Sequence, residues 1–119
     1  MKFEKSRWGK EIPYKSPVTG RETKLYNIAT VAEYLGRTSQ TIRKWEIGGV
    51  IPKTPFSING QRLYSTEHID AIIRCAEKAH LKQGSRVSKT YFSRYVYEEF
   101  AKVNELFFKE DLDATQKES

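Results

Sequence analysis

Two short amphipathic segments, separated by Gly36-Arg37-Thr38, leave this chain few ways to fold. In the first, Ile28, Val31, Ala32 and Leu35 recur at three- and four-residue steps, which places them on one face of a helix. In the second, Ile42 and Trp45 stand three apart and supply the buried face of a helix running from Ser39 to Gly48. Gly36 suits the end of the first helix. Thr38 or Ser39 can cap the second by accepting a hydrogen bond from its free N-terminal amides, and Gly48-Gly49 stops it. Neither helix is long enough to be stable alone, so each has to pack against the other and against a further stretch of the chain.

The sequence after Gly49 offers that support. Val50-Ile51 is a short apolar, β-branched run that Pro52 and Pro55 restrict to a sheet edge. Asn59-Gly60 is a hairpin-turn signal, and Gln61-Arg62-Leu63-Tyr64 forms the returning strand. Ser65 or Thr66 can cap a third helix whose stripe is Ile69, Ile72, Ile73 and Ala76, ending near Gln83-Gly84. Ser88 can cap a fourth, with Phe92, Val96, Phe100, Val103 and Phe107 at helical spacing. The expected fold is mainly α with a small β-hairpin wing: a winged helix-turn-helix of four helices.

We divide the chain into a basic N-terminal arm with a possible short hairpin (1–25), the winged helix-turn-helix (26–84), a C-terminal amphipathic helix (85–109) and an acidic tail (110–119). The hairpin would pair Glu11 to Lys15 with Glu22 to Asn27 around the turn residues Pro17 and Gly20. Within the arm, Trp8 is the residue that most needs a partner, and the arm can lie along a DNA backbone, enter a minor groove, or remain an unstructured end.

At 119 residues the chain fits one domain. Its 21 basic and 15 acidic side chains favour a polyanionic partner without saying which. Residues 1–25 hold seven basic and three acidic groups, and the last ten hold four acidic groups to one basic, so the middle is basic in its own right. No apolar stretch approaches a membrane span, and the start does not resemble a signal peptide. A cytoplasmic protein of a bacterial cell or phage-infected host is expected, with no membrane partner. Cys75, the only cysteine, rules out an internal disulfide and reads as a buried, inert thiol. With no glycine-rich phosphate loop, and with His68 and His80 apart and better read as surface or packing residues, no catalysis, cofactor or metal is expected.

Burying Ile42 and Trp45 leaves Gln40, Thr41, Arg43 and Lys44 near the outer side of the second helix. Arginine can donate two hydrogen bonds to guanine, glutamine can pair with adenine, and lysine or threonine can reach bases or phosphates. The free amides near Ser39 and Gln40 can meet a phosphate. The same pattern also describes an ordinary solvated face, and periodicity does not choose between them.

The run from Tyr26 to Glu46 contains Val31-Ala32, Gly36-Arg37-Thr38 and Thr41-Ile42-Arg43-Lys44-Trp45-Glu46. It is followed by Gly49-Val50-Ile51-Pro52 and by Gly60-Gln61-Arg62-Leu63-Tyr64. These blocks, covering about half the chain, closely resemble the DNA-binding domain of the MerR family in order and spacing. The resemblance implies that Arg43 and Lys44 face the major groove of double-stranded DNA and that Arg62 meets phosphate or the minor groove, where a solvated strand arginine is the alternative. It also implies that Tyr64 packs against the base of the wing or bonds a phosphate. Arg37, Thr38, Ser39, Gln40, Thr41 and Lys53 complete the expected contact set.

Two departures stand out. Arg37 replaces the family's usual small apolar turn residue, and Lys44 stands where full-length regulators usually carry tyrosine. Beyond Gly84 there is no long coiled coil with a cysteine-rich metal loop, so a metal- or drug-sensing activator is not expected. The chain looks more like compact members: phage excisionases, small phage or plasmid regulators, and the DNA-binding domains of some small terminase subunits. The resemblance thus implies a transcriptional regulator or an excisionase-like recombination factor; the alternative is a protein-interaction adaptor or small-terminase-like DNA-packaging component that uses the winged helix for docking. Self-association as a dimer or head-to-tail array would extend a short site. The aromatic fourth helix either completes the core or offers its stripe to a protein partner.

Overall fold

The computed structural model describes residues 11–81 and 91–109. Its elements run β1 (Ile12–Lys15), β2 (Glu22–Asn27), α1 (Ile28–Leu35), α2 (Ser39–Ile47), β3 (Phe56–Ile58), β4 (Gln61–Ser65), α3 (Thr66–Lys78) and α4 (Phe92–Phe108). The fold is a winged helix-turn-helix with four helices, and its wing belongs to a four-stranded antiparallel sheet of order β1-β2-β4-β3. Trp8, Gln83-Gly84, Ser88 and the acidic tail lie outside the described residues.

Side chains of successive strand residues point to opposite faces, so a sheet covered on both sides needs apolar neighbours in sequence. Leu25-Tyr26 and Leu63-Tyr64 meet that need. Tyr26 and Tyr64 join Ile28, Val31, Ile42, Trp45, Ile69 and Ile72 in one core cluster. Leu25 and Leu63 join Phe56, Ala71, Val103 and Phe107 in a second. α4 serves both: Phe92, Val96 and Phe100 enter the first, Val103 and Phe107 the second. The aromatic stripe is therefore buried in its own chain: of the two alternatives open from the sequence, α4 completes the core, and its stripe is not free for a protein partner.

The hairpin β1–β2 is not an appendage. β2 pairs with β4, matching Leu25 with Ser65, Tyr26 with Tyr64 and Asn27 with Leu63. In the connecting turn the Ser16 hydroxyl accepts from the amides of Val18 and Thr19, both at 3.1 Å. It also donates to the Phe107 carbonyl, while Thr19 Oγ1 donates to the Leu106 carbonyl at 2.6 Å. The last turn of a helix lacks intrahelical partners for its carbonyls, and this turn supplies them for α4.

The wing begins later than the apolar run Val50-Ile51. Ile51 is buried in the first core and neither residue is in a strand, because Pro52 and Pro55 have no amide to give a ladder. Thr54 bridges the gap, its hydroxyl donating to the Leu63 carbonyl at 2.5 Å. β3 then runs to Asn59-Gly60, where φ is 52° and 78°, the pair of left-handed residues that a tight two-residue hairpin demands. Asn27, Thr38 and Ser65 cap α1, α2 and α3, each accepting from the amide three residues on. α3 stops at Lys78, short of the expected Gln83-Gly84, because His80 turns left-handed at φ 55°.

His68 joins α3 to α4, its ring against Phe56 and Phe107 of the second core and Phe100 of the first. Its Nδ1 lies 2.6 Å from Ser65 Oγ and its Nε2 2.6 Å from Asn104 Oδ1. Phe100 meets its ring edge-on with 4.7 Å between centroids. An amide oxygen only accepts, so Nε2 carries a proton, and in the neutral ring that burial favours Nδ1 accepts from the serine hydroxyl. Burial pushes its pKa below the usual value, with the Asn104 bond opposing only in part. The unfolded chain therefore binds this proton more readily, and stability present above pH of about 6.5 is lost as the pH falls. Urea unfolding should show lower stability at pH 5 than at pH 7, and His68→Gln, though less stable, should lose less over that interval. An equal loss in both proteins would contradict this assignment.

Candidate nucleic-acid interface

On α2, Ile42, Trp45 and Glu46 are buried, while Gln40, Arg43, Lys44 and Ile47 are exposed. The exposed four stand at helical steps of three, four and seven from Gln40 and so share one face. None of the Gln40, Arg43 and Lys44 side chains has a hydrogen-bond or ion-pair partner among the described residues. Ile47 is 76% exposed, an apolar side chain left in water at the end of a polar stripe.

The start of α2 is built from hydroxyls. Thr38 Oγ1 accepts from the Thr41 amide at 3.2 Å and lies 3.0 Å from Thr41 Oγ1. Thr38 thus caps the helix, and the hydroxyls of Thr38 and Thr41 are already engaged with each other. Ser39 is half-buried beside them. Arg37, in the turn, holds its guanidinium 5.2 Å from the centre of the Trp45 ring, a cation–π distance. The other side of the core meets Trp45 through Phe92 of α4, at 5.4 Å between ring centres. Tyr97 of α4 donates to the Gly49 carbonyl at 3.0 Å, just past the end of α2. α2 is therefore gripped from the turn and from α4.

The wing side is organised by a residue outside the contact set expected from sequence. Glu46 is only 4% exposed, yet its carboxylate takes two partners from β4. Arg62 Nε donates to Oε1, and the Tyr64 hydroxyl donates to Oε2 at 3.3 Å. Arg62 and Tyr64 are two apart on one strand, so both face the helix. Of the two roles expected for Tyr64, its full burial selects packing at the base of the wing and removes it from the expected contact set, because no phosphate reaches a hydroxyl closed inside. Burial, and then the charge of Glu46, push the Tyr64 pKa upward, so the hydroxyl stays a donor. Arg62 is neither a free solvated arginine nor fully hidden, and Lys53 is exposed on the approach to the wing.

The signal for Glu46 was present in the residues themselves. Arg62-x-Tyr64 puts two donors on one strand face, and Glu46 is the acceptor one step beyond Trp45 on the packed side of α2. Ile47 was missed because one apolar residue before a glycine pair reads as part of the core.

Residues 26–77 match the family model described as MerR HTH family regulatory protein. No curated protein and no solved structure matches the chain. The segment is thus a MerR-like helix-turn-helix, the DNA-binding element of a family of regulators. Among the described residues no helix is long and apolar enough to cross a membrane. Cys75 is buried, and burial pushes its thiol up to about 11, far from a reactive thiolate at neutral pH.

Tyr64→Phe should lower unfolding stability by about 1 to 3 kcal/mol, because it strands one oxygen of a buried carboxylate. Urea titration checks this, and an unchanged midpoint would show that the hydroxyl contributes nothing to the wing base.

Proposed function

We propose that this chain binds double-stranded DNA in a sequence-specific way, with α2 in the major groove and the wing beside it. The observation that carries the reading is the stripe of Gln40, Arg43 and Lys44 on the exposed face of α2, without partners among the described residues, within a MerR-like frame. Arg43 is suited to a two-donor contact with guanine and Gln40 to adenine, while Lys44 reaches a base edge or phosphate. Ile47 extends the stripe and suits contact with a thymine methyl. Arg37, Lys53 and Arg62 flank the stripe as phosphate contacts, and the α2 amides near Ser39 and Gln40 offer another.

The protein acts in the cytoplasm of a bacterial cell or phage-infected host, as a transcriptional regulator or an excisionase-like factor that shapes DNA for recombination. It has no catalysis of its own in this reading. One recognition helix reads only a few base pairs, so copies are expected to line up on DNA as a symmetric dimer or a head-to-tail array.

Selection of bound duplexes from a random pool should enrich a short motif, and binding should weaken steeply with salt. Arg43→Ala should cost about 1 to 3 kcal/mol on that motif and relax its specificity. Arg62→Ala should weaken binding to all sequences alike. No enriched motif, together with folded Arg43→Ala and Arg62→Ala proteins that bind as the parent does, would overturn the proposal and favour a protein-docking adaptor.

A further inference from the structure

Glu46 stands where elementary electrostatics disfavours it. It lies in the last turn of α2, where the helix dipole repels an anion, and it is almost wholly buried. Replacing a buried ion pair by well-packed apolar side chains is often neutral or stabilising, so stability alone does not account for a carboxylate at this point. Its two oxygens are divided between Tyr64, buried at the wing base, and Arg62, whose side chain is 37% exposed.

The engaged atom of Arg62 is Nε. Neither Nη group has a partner among the described residues. A guanidinium is a rigid plane of five donors, and one held by its Nε edge keeps the pair of Nη groups that grips phosphate oxygens. An arginine already fixed in one orientation has less side-chain freedom to lose on binding.

We propose that Glu46 is a positioning residue for nucleic-acid binding: it holds the Arg62 guanidinium with its Nη edge outward for a DNA phosphate. In the same contact it sets the spacing between the recognition helix and the wing. This rests on the proposed DNA-binding function. It also runs against simple charge counting, in which removing an acid from a DNA-binding face strengthens binding.

The test compares Glu46→Gln, which keeps an acceptor for Arg62, with Glu46→Met, which fills the space without one. Dissociation constants are measured on the selected duplex across a salt series, with folding checked by circular dichroism. Glu46→Gln should bind within about twofold of the parent. Glu46→Met should bind about tenfold more weakly at low salt despite its extra net positive charge, and its salt slope should fall by about one. In an Arg62→Ala background, Glu46→Met should change the affinity no further. Should Glu46→Met alone not fold, the Glu46→Met, Tyr64→Phe double variant leaves no hydroxyl stranded and carries the same readout. Unchanged or tighter binding by the methionine variant, or an equal loss with and without Arg62, overturns the inference. Failure of the unaltered chain to bind any duplex sinks the DNA-binding reading itself, whereas binding indifferent to Glu46→Met sinks only this one.

Discussion

A buried carboxylate makes α2 and the wing a single body. Glu46 belongs to α2, while Arg62 and Tyr64 belong to β4, and each partner brings a donor to a different oxygen of the same group. A charge so nearly sealed from water is tolerated only when its lone pairs are met, so the geometry on both sides is tightly specified. Without that contact, α2 and the wing would be joined only by the loop from Gly48 to Pro55 and by apolar packing, which is not directional.

The rest of the architecture supports this joint from behind. A wing of three and five residues is marginal alone, but β4 is also paired with β2, and β2 with β1. The resulting sheet is covered on both faces, and α4 spans the two cores it separates. At one end α4 touches Trp45 of α2 and Gly49 just past its end, and at the other its carbonyls are met by Ser16 and Thr19. Residues far apart in sequence thus fix a helix that would be too short to persist by itself.

Much of the fold was legible in the residues, for reasons that differ by element. The limits of α1 and α2 came from local signals: apolar steps of three and four, a left-handed glycine, and a threonine cap. Asn59-Gly60 located the wing turn for the same reason. The strand before it was misplaced because Val50-Ile51 has strand composition, whereas the prolines decide where a ladder can begin. That β2 would pair with the wing was not legible, since strand adjacency is a non-local choice. The exposed face of α2 could be read from spacing, while for the Glu46 network the residues offered only its parts, two donors on one strand face and an acid on the packed side of α2, because nothing local pairs side chains 16 and 18 positions apart. The choice between the two roles of Tyr64 stayed open for a related cause: a tyrosine on a wing strand can pack or meet a phosphate until the opposite helix is known to cover it.

If the exposed side of α2 and the edge of the wing form the DNA surface, their amides should sense a duplex before any others do. Titrating the labelled chain with its selected duplex and following backbone amide resonances tests this at residue resolution. Shifts should concentrate in residues 37–47 and 57–62, with the outer face of α4 quiet. Shifts centred on the outer face of α4, or on the β1 edge with α2 unmoved, would contradict a DNA surface built from the recognition helix and the wing.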